Sequence, residues 1–374
     1  MRPGRALWDL LSDGWTVELV WTVAFPKNPR RVLVVRHRFI GDTLLMVPFL
    51  RNLRQALPEA QIDVLVEPQT AELLEGCPYV DNLIPVEPKT VGWSARLQSF
   101  WKMLERLRVN RYDVAFVLKR SFSSAFLVWL AGIPLRVGFS TEGRRWLLTH
   151  PVPYRMDRHE VESFLDALRC VDLPVTEDSL EAWWTDAESQ YAATLLNRQP
   201  EERHLGIHLT SSNPAKEWSD TQFAKLALAL LTKKKPDSSQ TGRTILHGLG
   251  LSQDWTRYEQ LRARMPHDLR DQVVNHCGKT TLRQSLALIA QLDGLVGVDS
   301  GPLHMAAAVG TPVVALFGPM SDQKWHPWTQ AHRVVAVDLP CRPCHLKGAC
   351  PHEYACMKQL SVEAVLDACQ TVMP

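Results

Sequence analysis

The chain has 374 residues, with 42 Lys and Arg against 40 Asp and Glu, and 45% of its residues are hydrophobic. This length favours two domains over one, and the apolar fraction excludes a mainly disordered, collagen-like or low-complexity chain. A formal charge of +2 excludes a polycation that wraps nucleic acid, so we expect no nucleic-acid partner. The eight cysteines are too sparse for a small disulfide-linked scaffold.

Residues 1–30 are expected to form an N-terminal arm. Asp9, Asp13 and Glu18 interrupt its apolar, Trp-bearing sequence, which argues against a signal peptide. Two alternatives stay open for this arm: packing against the first domain, or lying in a membrane interface. The longest stretch without Asp, Glu, Lys or Arg, Ser300–Ser321, contains glycines and prolines that predict a turn, a helix and a strand. We therefore expect a soluble cytoplasmic protein.

The two halves of the chain begin alike. An apolar run, Arg31–Arg36 in the first half and Leu205–Leu209 in the second, leads into a polar loop and then a helical pattern. Short β-rich runs then alternate with helix-period segments, which predicts parallel sheets with crossover helices. The further predicted strands lie near 61–66, 82–86, 112–118 and 134–139, and near 243–248, 272–276, 294–298, 311–316 and 333–337.

The predicted fold class is therefore α/β, with two doubly wound domains that face each other across a cleft. The first domain is expected over 31–185 and the second over 186–358. A helix in 359–374 is expected to cross back to the first domain. Because open parallel sheets bind ligands beyond the carboxyl ends of their strands, the loop after the first strand of each half should line the cleft.

Gly41 and Asp42 follow the first strand. Gly41 allows a sharp turn, and Asp42 comes at or near the start of the next helix. One interpretation makes Asp42 a helix cap, since Asp is among the preferred N-cap residues. The other makes it a carboxylate that points into the cleft and accepts a proton from a hydroxyl.

The corresponding loop of the second half holds three hydroxyl side chains and a lysine: Thr210, Ser211, Ser212 and Lys216. Hydroxyl and backbone donors followed by an ammonium suit a phosphate group. The Gly-x4-Gly-Lys frame of a Walker A loop is missing. The alternative is an ordinary loop with a capping serine.

A third segment joins a strand end to a small-residue helix. Asp299 ends the strand, Ser300 and Gly301 form the turn, and Pro302 lies near the first helical position. Backbone N–H groups at such a helix start form an anion site. His304 either reaches the ligand or is a packed, hydrogen-bonded residue of the helix.

In combination, these motifs resemble the heptosyltransferases of the lipopolysaccharide core, glycosyltransferase family 9, and within it the branch that adds the second heptose. The matching segments are Gly41–Leu44, Pro214–Trp218, Asp299–Ala307 and Phe317–Pro319, and for that branch Tyr112–Leu118, Ser121–Ala125 and Ala131–Gly138. The resemblance covers roughly residues 31 to 372. It implies the GT-B arrangement of two facing Rossmann-like domains.

The resemblance also implies an inverting, metal-independent transfer of heptose from ADP-heptose to a hydroxyl of the lipopolysaccharide inner core. Asp42 is then the general base, and Lys216 takes up charge on the leaving diphosphate. The implied donor-binding residues are Thr210, Ser211, Ser212, Lys216, Asp299, Ser300, Gly301, Pro302 and His304.

The implied acceptor is an anionic, lipid-linked core oligosaccharide, so peripheral contact with the inner membrane surface is an open possibility. Gly41 lies on this acceptor side. Arg38 and Arg120 each come just beyond a strand's carboxyl end, where a guanidinium suits carboxylates and phosphates. Solvated surface charge is the alternative for both arginines.

The sequence bears on three alternative functions. The acidic residue that the family places after the second strand of its C-terminal half is not evident in His247–Asp254, which leaves open a relative with another nucleotide sugar or acceptor. A non-catalytic nucleotide-sugar-binding scaffold needs neither Asp42 nor Lys216. A dehydrogenase is excluded because no Gly-x-Gly-x-x-Gly follows the first strand.

Residues 341–356 are rich in cysteine: Cys341, Cys344, Cys350 and Cys356. A Cys-x2-Cys pair followed by two more thiols is able to hold a structural zinc ion. Free or packed thiols are the other interpretation, and disulfides are disfavoured in a reducing cytosol. We expect no cofactor to be required for catalysis.

Overall fold

The computed structural model describes residues 24–36, 39–86, 92–232, 243–346 and 349–373. Most of the predicted N-terminal arm, and Arg38, lie outside these ranges. Within them, the helices are each too short or too polar to cross a bilayer.

The first sheet has six parallel strands in the order β3-β2-β1-β4-β5-β6. They are β1 (Arg31–Val35), β2 (Gln61–Val66), β3 (Asn82–Pro85), β4 (Val114–Val117), β5 (Leu135–Phe139) and β6 (His150–Val152). Side chains alternate between the faces of β1, so Val32 and Val34 join one apolar core while Leu33 and Val35 join another. Both faces are buried, which explains the near-continuous apolar run in the sequence.

The second sheet repeats this plan, with the order β12-β11-β10-β7-β8-β9. Its strands are β7 (Arg203–His208), β8 (Thr244–Gly248), β9 (Val273–Asn275), β10 (Gly294–Val298), β11 (Val313–Phe317) and β12 (His332–Ala336). In both sheets the first strand pairs on one side with the second strand and on the other with the fourth. This is the strand order of Rossmann-like sheets, in which ligands bind beyond that switch point.

The helices lie on both faces of the two sheets. Those of the first half are α1 (Ile40–Leu45), α2 (Val47–Ala56), α3 (Pro68–Ala71), α4 (Trp93–Asn110), α5 (Phe122–Leu130) and α6 (Glu160–Arg169). Those of the second are α7 (Asp186–Leu196), α8 (Asp220–Thr232), α9 (Trp255–Ala263), α10 (Leu282–Ile289), α11 (Gly301–Ala308), α12 (Asp322–Trp325), α13 (Ala355–Lys358) and α14 (Val362–Val372). The structure therefore confirms the predicted α/β fold with two parallel doubly wound sheets.

The two halves meet where α1 packs against α11. Leu44 of α1 belongs to the same apolar core as Leu303 and Met305 of α11. Each helix follows a central strand of its own sheet, β1 and β10 respectively. The carboxyl ends of the two sheets therefore face each other at this contact.

The C-terminal helix packs at a different place from the one expected. α14 packs on α8 and on strands β11 and β12 of the second sheet instead of returning to the first. Val362, Val365 and Cys369 form its buried stripe and share one core with Phe223 of α8. An apolar stripe shows that a helix is covered, but it does not identify the sheet that covers it.

The segment around α12 makes the connection back to the first half. Lys324 of α12 is fully buried, and its ammonium lies 3.0 Å from the Glu160 carboxylate of α6. The same ammonium donates to the Ser163 hydroxyl at 2.6 Å and to the Arg155 carbonyl at 2.9 Å. The ammonium of Lys324, a residue of the second half, is therefore held by acceptors that belong to the first half.

Loss of this ammonium should destabilise the whole chain. Because Lys324→Met leaves a buried carboxylate with fewer partners, we expect a loss of about 3–5 kcal/mol in the free energy of unfolding, measured by denaturant titration. The control is Lys358→Met, which removes the exposed Lys358–Glu353 pair and should cost about 0–1 kcal/mol. Equal costs for the two variants would contradict a structural role for Lys324.

Candidate active site

Asp42 lies in the first turn of α1, just beyond β1. The N-cap residue of α1 is Phe39, and no side chain caps this helix, so the carboxylate of Asp42 does not act as the cap. Asp42 is buried, and its carboxylate lies 2.6 Å from the Arg36 guanidinium. The alternative that Asp42 serves only to cap α1 is therefore not supported.

The electrostatic surroundings of Asp42 tune its basicity. Burial raises the pKa of Asp42, and the neighbouring Arg36 guanidinium offsets part of that rise. Glu160, 3.8 Å from Arg36, adds a negative charge that raises the pKa of Asp42 further. A carboxylate that is ion-paired yet made more basic by burial is suited to take a proton from a hydroxyl.

Arg120 lies on the first-half side of the cleft. Its guanidinium sits over the Tyr154 ring at 4.2 Å, and the Tyr154 hydroxyl donates to Glu160 at 2.6 Å. Arg120 is exposed, unlike Arg144, which is fully buried and donates to the Phe139 carbonyl at 2.6 Å. Of these two arginines, only Arg120 is accessible to a ligand.

The second-half side of the site is the loop after β7. Lys216 places its ammonium 2.8 Å from the carboxylate of Asp299, which follows β10. The Ser211 hydroxyl lies within 3.4 Å of the Asp299 backbone carbonyl. Thr210 is partly buried and Ser212 exposed, so the hydroxyl-rich loop remains open to a ligand.

The start of α11 completes this side. Ser300 is the N-cap residue, but its hydroxyl contacts the Val298 carbonyl and does not cap the helix. Pro302 lies in the first turn of a helix that begins at Gly301. The Gly301 N–H therefore has no side-chain cap and is available to an anion, whereas Pro302 has no N–H and the Leu303 N–H donates to the Ser300 carbonyl at 3.2 Å.

His304 connects the first-half side of the site with the second-half side. A Cβ atom on Gly41 would lie 2.5 Å from Cδ2 of His304, so the imidazole packs directly on that glycine. Burial lowers the pKa of His304 to about 4, so the ring is neutral at pH 7. Its buried Nδ1 has no hydrogen-bond partner among the described residues. Gly41 is thus required for close approach of α1 to the second half.

Asp42 and Lys216, the two residues predicted to be catalytic, each have an ion-pair partner of their own. Asp42 and Lys216 do not pair with each other: Asp42 pairs with Arg36, and Lys216 pairs with Asp299. Their two loops are linked by the contact of Gly41 with His304. The two charged groups therefore border one region without neutralising each other.

Sequence reasoning gave no catalytic-site role to Arg36, Glu160 or Lys324. Arg36 did carry a signal, because a charged residue directly after a fully apolar strand points to the sheet edge. Glu160 and Lys324 carried none, since charged residues on short helices usually face solvent. Their burial becomes visible only when the two halves are packed together.

The cysteine-rich segment touches the second-half loop of this site, where the Asn213 amide donates to the Leu346 carbonyl at 3.4 Å. Cys356 is buried beside Met357, while Cys341 and Cys350 are partly buried and Cys344 is exposed. Among the described residues, no three His, Cys, Asp or Glu side chains form a group able to hold a metal ion. The structure therefore gives the expectation of a zinc site no support.

Fold and site together define a class of protein: a GT-B glycosyltransferase, with a buried carboxylate on one Rossmann-like half and a helix start without a side-chain cap on the other. Comparison with known proteins agrees. The sequence profile of glycosyltransferase family 9 (heptosyltransferase) matches residues 100–354, more than half of the chain. The chain belongs to this family.

Individual relatives are heptosyltransferases. Lipooligosaccharide heptosyltransferase 2 of Haemophilus ducreyi is 30% identical over 82% of this chain and 88% of its own length. Lipopolysaccharide heptosyltransferase 3 of Escherichia coli K12 is 29% identical over 78% of this chain and 84% of its own. Among solved structures, E. coli ADP-heptose lps heptosyltransferase II is 25% identical, with a TM-score of 0.73 over 92% of this chain and 98% of that one.

The contact between Gly41 and His304 can be tested directly. Gly41→Ala places a methyl group where the imidazole lies, so α1 or His304 must shift. Since misplacing a catalytic group by about 1 Å can cost about 100-fold in rate, we expect kcat/KM for sugar transfer to fall by about 10- to 100-fold.

The control is the same alanine in a His304→Ala background. There the added methyl group meets no ring, so the stability cost of Gly41→Ala should be smaller than in the wild-type background. Equal costs in the two backgrounds, measured by thermal unfolding, would rule out the clash.

The pH dependence of activity should respond to Glu160. Glu160 raises the pKa of Asp42, so Glu160→Gln should lower that pKa and keep Asp42 deprotonated at more acidic pH. The acid limb of the kcat/KM profile should therefore move to lower pH, while kcat at neutral pH falls because the base is weaker. A shift of the acid limb to higher pH would contradict this assignment.

Proposed function

We propose that this protein transfers a heptose from ADP-heptose to a hydroxyl of the lipopolysaccharide inner core, with inversion at the anomeric carbon. Its relatives include lipooligosaccharide and lipopolysaccharide heptosyltransferases and an ADP-heptose lps heptosyltransferase, which supports this substrate pair. The observation that carries the proposal is the buried Asp42 carboxylate, one residue from the glycine on which His304 of the donor-side helix packs. This arrangement has a base on one side and an anion site on the other.

The second half, over 186–358, is the proposed donor-binding domain. The diphosphate of ADP-heptose would lie between the Thr210–Lys216 loop and the first turn of α11. Lys216 is already oriented by Asp299 at 2.8 Å, and it would exchange part of that pairing for phosphate oxygens. Ser300 and Gly301 would present backbone N–H donors, and Pro302, which has no N–H, would lie in the first turn at the positive end of the helix. His304, being neutral, adds no charge there.

The first half, over 31–185, is the proposed acceptor-binding domain. Arg38 and Arg120 would bind the anionic groups of the lipid-linked core oligosaccharide, and Gly41 would let the acceptor approach Asp42. Arg120 is supported by its exposure and by its position over Tyr154 at the cleft. Because its acceptor is anchored in lipid, we place the enzyme at the cytoplasmic face of the inner membrane.

In the reaction, the acceptor hydroxyl oxygen attacks the anomeric carbon and its proton passes to Asp42 Oδ. The bond between the anomeric carbon and the diphosphate oxygen breaks on the opposite face, and ADP leaves with the electron pair. Lys216 and the α11 N–H groups stabilise the negative charge that develops on the diphosphate. Arg36 stabilises Asp42 before the transfer, and burial of the site limits hydrolysis of the donor by water.

Substitution of Asp42 separates binding from chemistry. Asp42→Asn keeps the shape but cannot accept the proton, so transfer should fall by about 100- to 10,000-fold while ADP still binds. The measurements are calorimetric ADP binding and a coupled assay of ADP release with a defined core acceptor. The matched control, Asp271→Asn at an exposed position, should change neither.

The donor itself is identified by a screen of ADP-heptose against other ADP- and UDP-sugars on that acceptor. A clear preference for ADP-heptose supports the proposal. Preference for another nucleotide sugar, donor binding without any transfer, or an Asp42→Asn variant within tenfold of wild-type activity would each overturn it.

A further inference from the structure

The outer side of α4 and α5 carries a concentration of exposed aromatic side chains. Seven of the fourteen exposed large hydrophobic side chains among the described residues lie in α4, in α5 and in the short turn at Trp146. Trp93 is 82% exposed and Trp146 is 89% exposed. The aromatic face, as we name it, consists of Trp93, Leu97, Phe100, Trp101, Phe122, Phe126, Trp129 and Trp146.

The members of the aromatic face form one continuous surface. Trp93, Leu97 and Trp101 recur every four residues and so lie on one side of α4. Phe126 of α5 stacks on Phe100 of α4 with ring centroids 6.3 Å apart, and also on Phe122 and Trp129 at 6.1 and 5.6 Å. The turn with Trp146, Arg144–Leu147, packs on α5. An apolar surface of this extent on a polar protein marks a binding surface.

The charge around the aromatic face is predominantly positive. From Trp93 to Arg111 the chain has five basic residues and a single acidic one, Glu105. The basic residues are Arg96, Lys102, Arg106, Arg108 and Arg111. Arg145, next to Trp146, is exposed as well. Tryptophan and phenylalanine bordered by lysine and arginine is the composition of surfaces that lie in the headgroup region of anionic bilayers.

The aromatic face also adjoins the candidate active site. α5 begins two residues after Arg120, at the carboxyl end of β4, which pairs with β1 beside Asp42. Between α4 and α5 lies a groove of about 250 Å³, whose apolar lining includes Phe100, Met103 and Leu127. A partner seated on this face would therefore meet the cleft at its acceptor side.

We propose that the aromatic face docks the enzyme onto an anionic phospholipid bilayer, with its rings at headgroup depth and its basic residues against the lipid phosphates. The proposal deepens the proposed function, on which it rests only in linking this surface to a lipid-anchored acceptor. Charge complementarity selects the bilayer over a second copy of this chain, because two copies would oppose their basic residues on this face. Bilayer docking would bring the acceptor to Arg120 by diffusion within the membrane plane.

The experiment is sedimentation of the full chain with vesicles of phosphatidylcholine, with and without phosphatidylglycerol. We expect binding only with phosphatidylglycerol, and weaker binding as salt increases. The triple variant Trp101→Ser/Phe122→Ser/Trp129→Ser should bind at least about tenfold more weakly, because binding scales with the apolar area inserted. The control is Trp255→Ser, an exposed tryptophan of the second half, which should bind like wild type.

Three results would overturn the proposal. The first is unchanged vesicle binding of the triple variant. The second is loss of binding only in the arm variant Trp8→Ser/Trp15→Ser/Trp21→Ser. The third is a dimer that the triple variant dissociates, measured by analytical ultracentrifugation, because the face would then be an interface between copies of this chain.

Vesicle binding and sugar transfer can fail separately. Binding is measured without donor or acceptor, so it does not depend on the identity of the reaction. If the proposed function is also correct, the triple variant should keep its rate on a delipidated, water-soluble acceptor and lose rate on the vesicle-embedded one.

Discussion

The packing of α1 against α11 is the interaction on which the rest of the site depends. Each helix offers a glycine at the contact: Gly41 lies beneath His304, and Gly301 lies against Ile40. Added Cβ atoms would lie only 2.5 and 3.0 Å from these neighbours, so no larger residue fits without movement. Leu44 then joins the apolar core around Leu303, and burial of these side chains holds the contact. Asp42 and the start of α11 are therefore positioned by one piece of packing.

Charges are buried beside this contact in an alternating arrangement. Arg36 lies between the carboxylates of Asp42 and Glu160, and Glu160 lies between Arg36 and Lys324. Burial of a single ion costs several kcal/mol, and only close pairing with opposite charges offsets that cost. With two cations and two carboxylates the group is neutral as a whole. Asp42 can therefore remain charged away from water, which a lone buried carboxylate would not do.

Much of the fold could be predicted from the sequence because the central strands are apolar on both faces. The apolar runs that form β1, β2 and β10 are best explained as buried strands. The order of these strands determines which loops face the cleft. The short strand β6, with His and Pro among its three residues, carried no such signal. The destination of α14 was also not predictable, since its buried stripe would fit either sheet.

The site was predictable to the extent that its residues follow strands directly. Gly41, Asp42, Ser211, Lys216 and Asp299 all lie at the carboxyl ends of β1, β7 or β10, so topology alone brings them together. Glu160 and Lys324 come from helices that meet only when the halves are packed. Tyr154 and Arg120 are likewise joined by tertiary contact and not by spacing. The sequence motifs therefore identified the groups that border the cleft. The charged and polar groups that surround Asp42 could be recognised only once the tertiary packing was known.

The residue that leads into α1 holds backbone strain, and this strain links the position of Asp42 to the packing of the two halves. Phe39 has a φ of 50°, a left-handed conformation that costs a bulky residue about 1–3 kcal/mol. Its carbonyl accepts from the Thr43 N–H at 3.2 Å and from the Thr43 hydroxyl at 3.0 Å, which offsets part of that cost. The remaining cost must be met by contacts that α1 makes beyond its own loop, and its main partner is α11. The position of Asp42 therefore depends on both halves together, because the strained entry into α1 is held by packing against the second half.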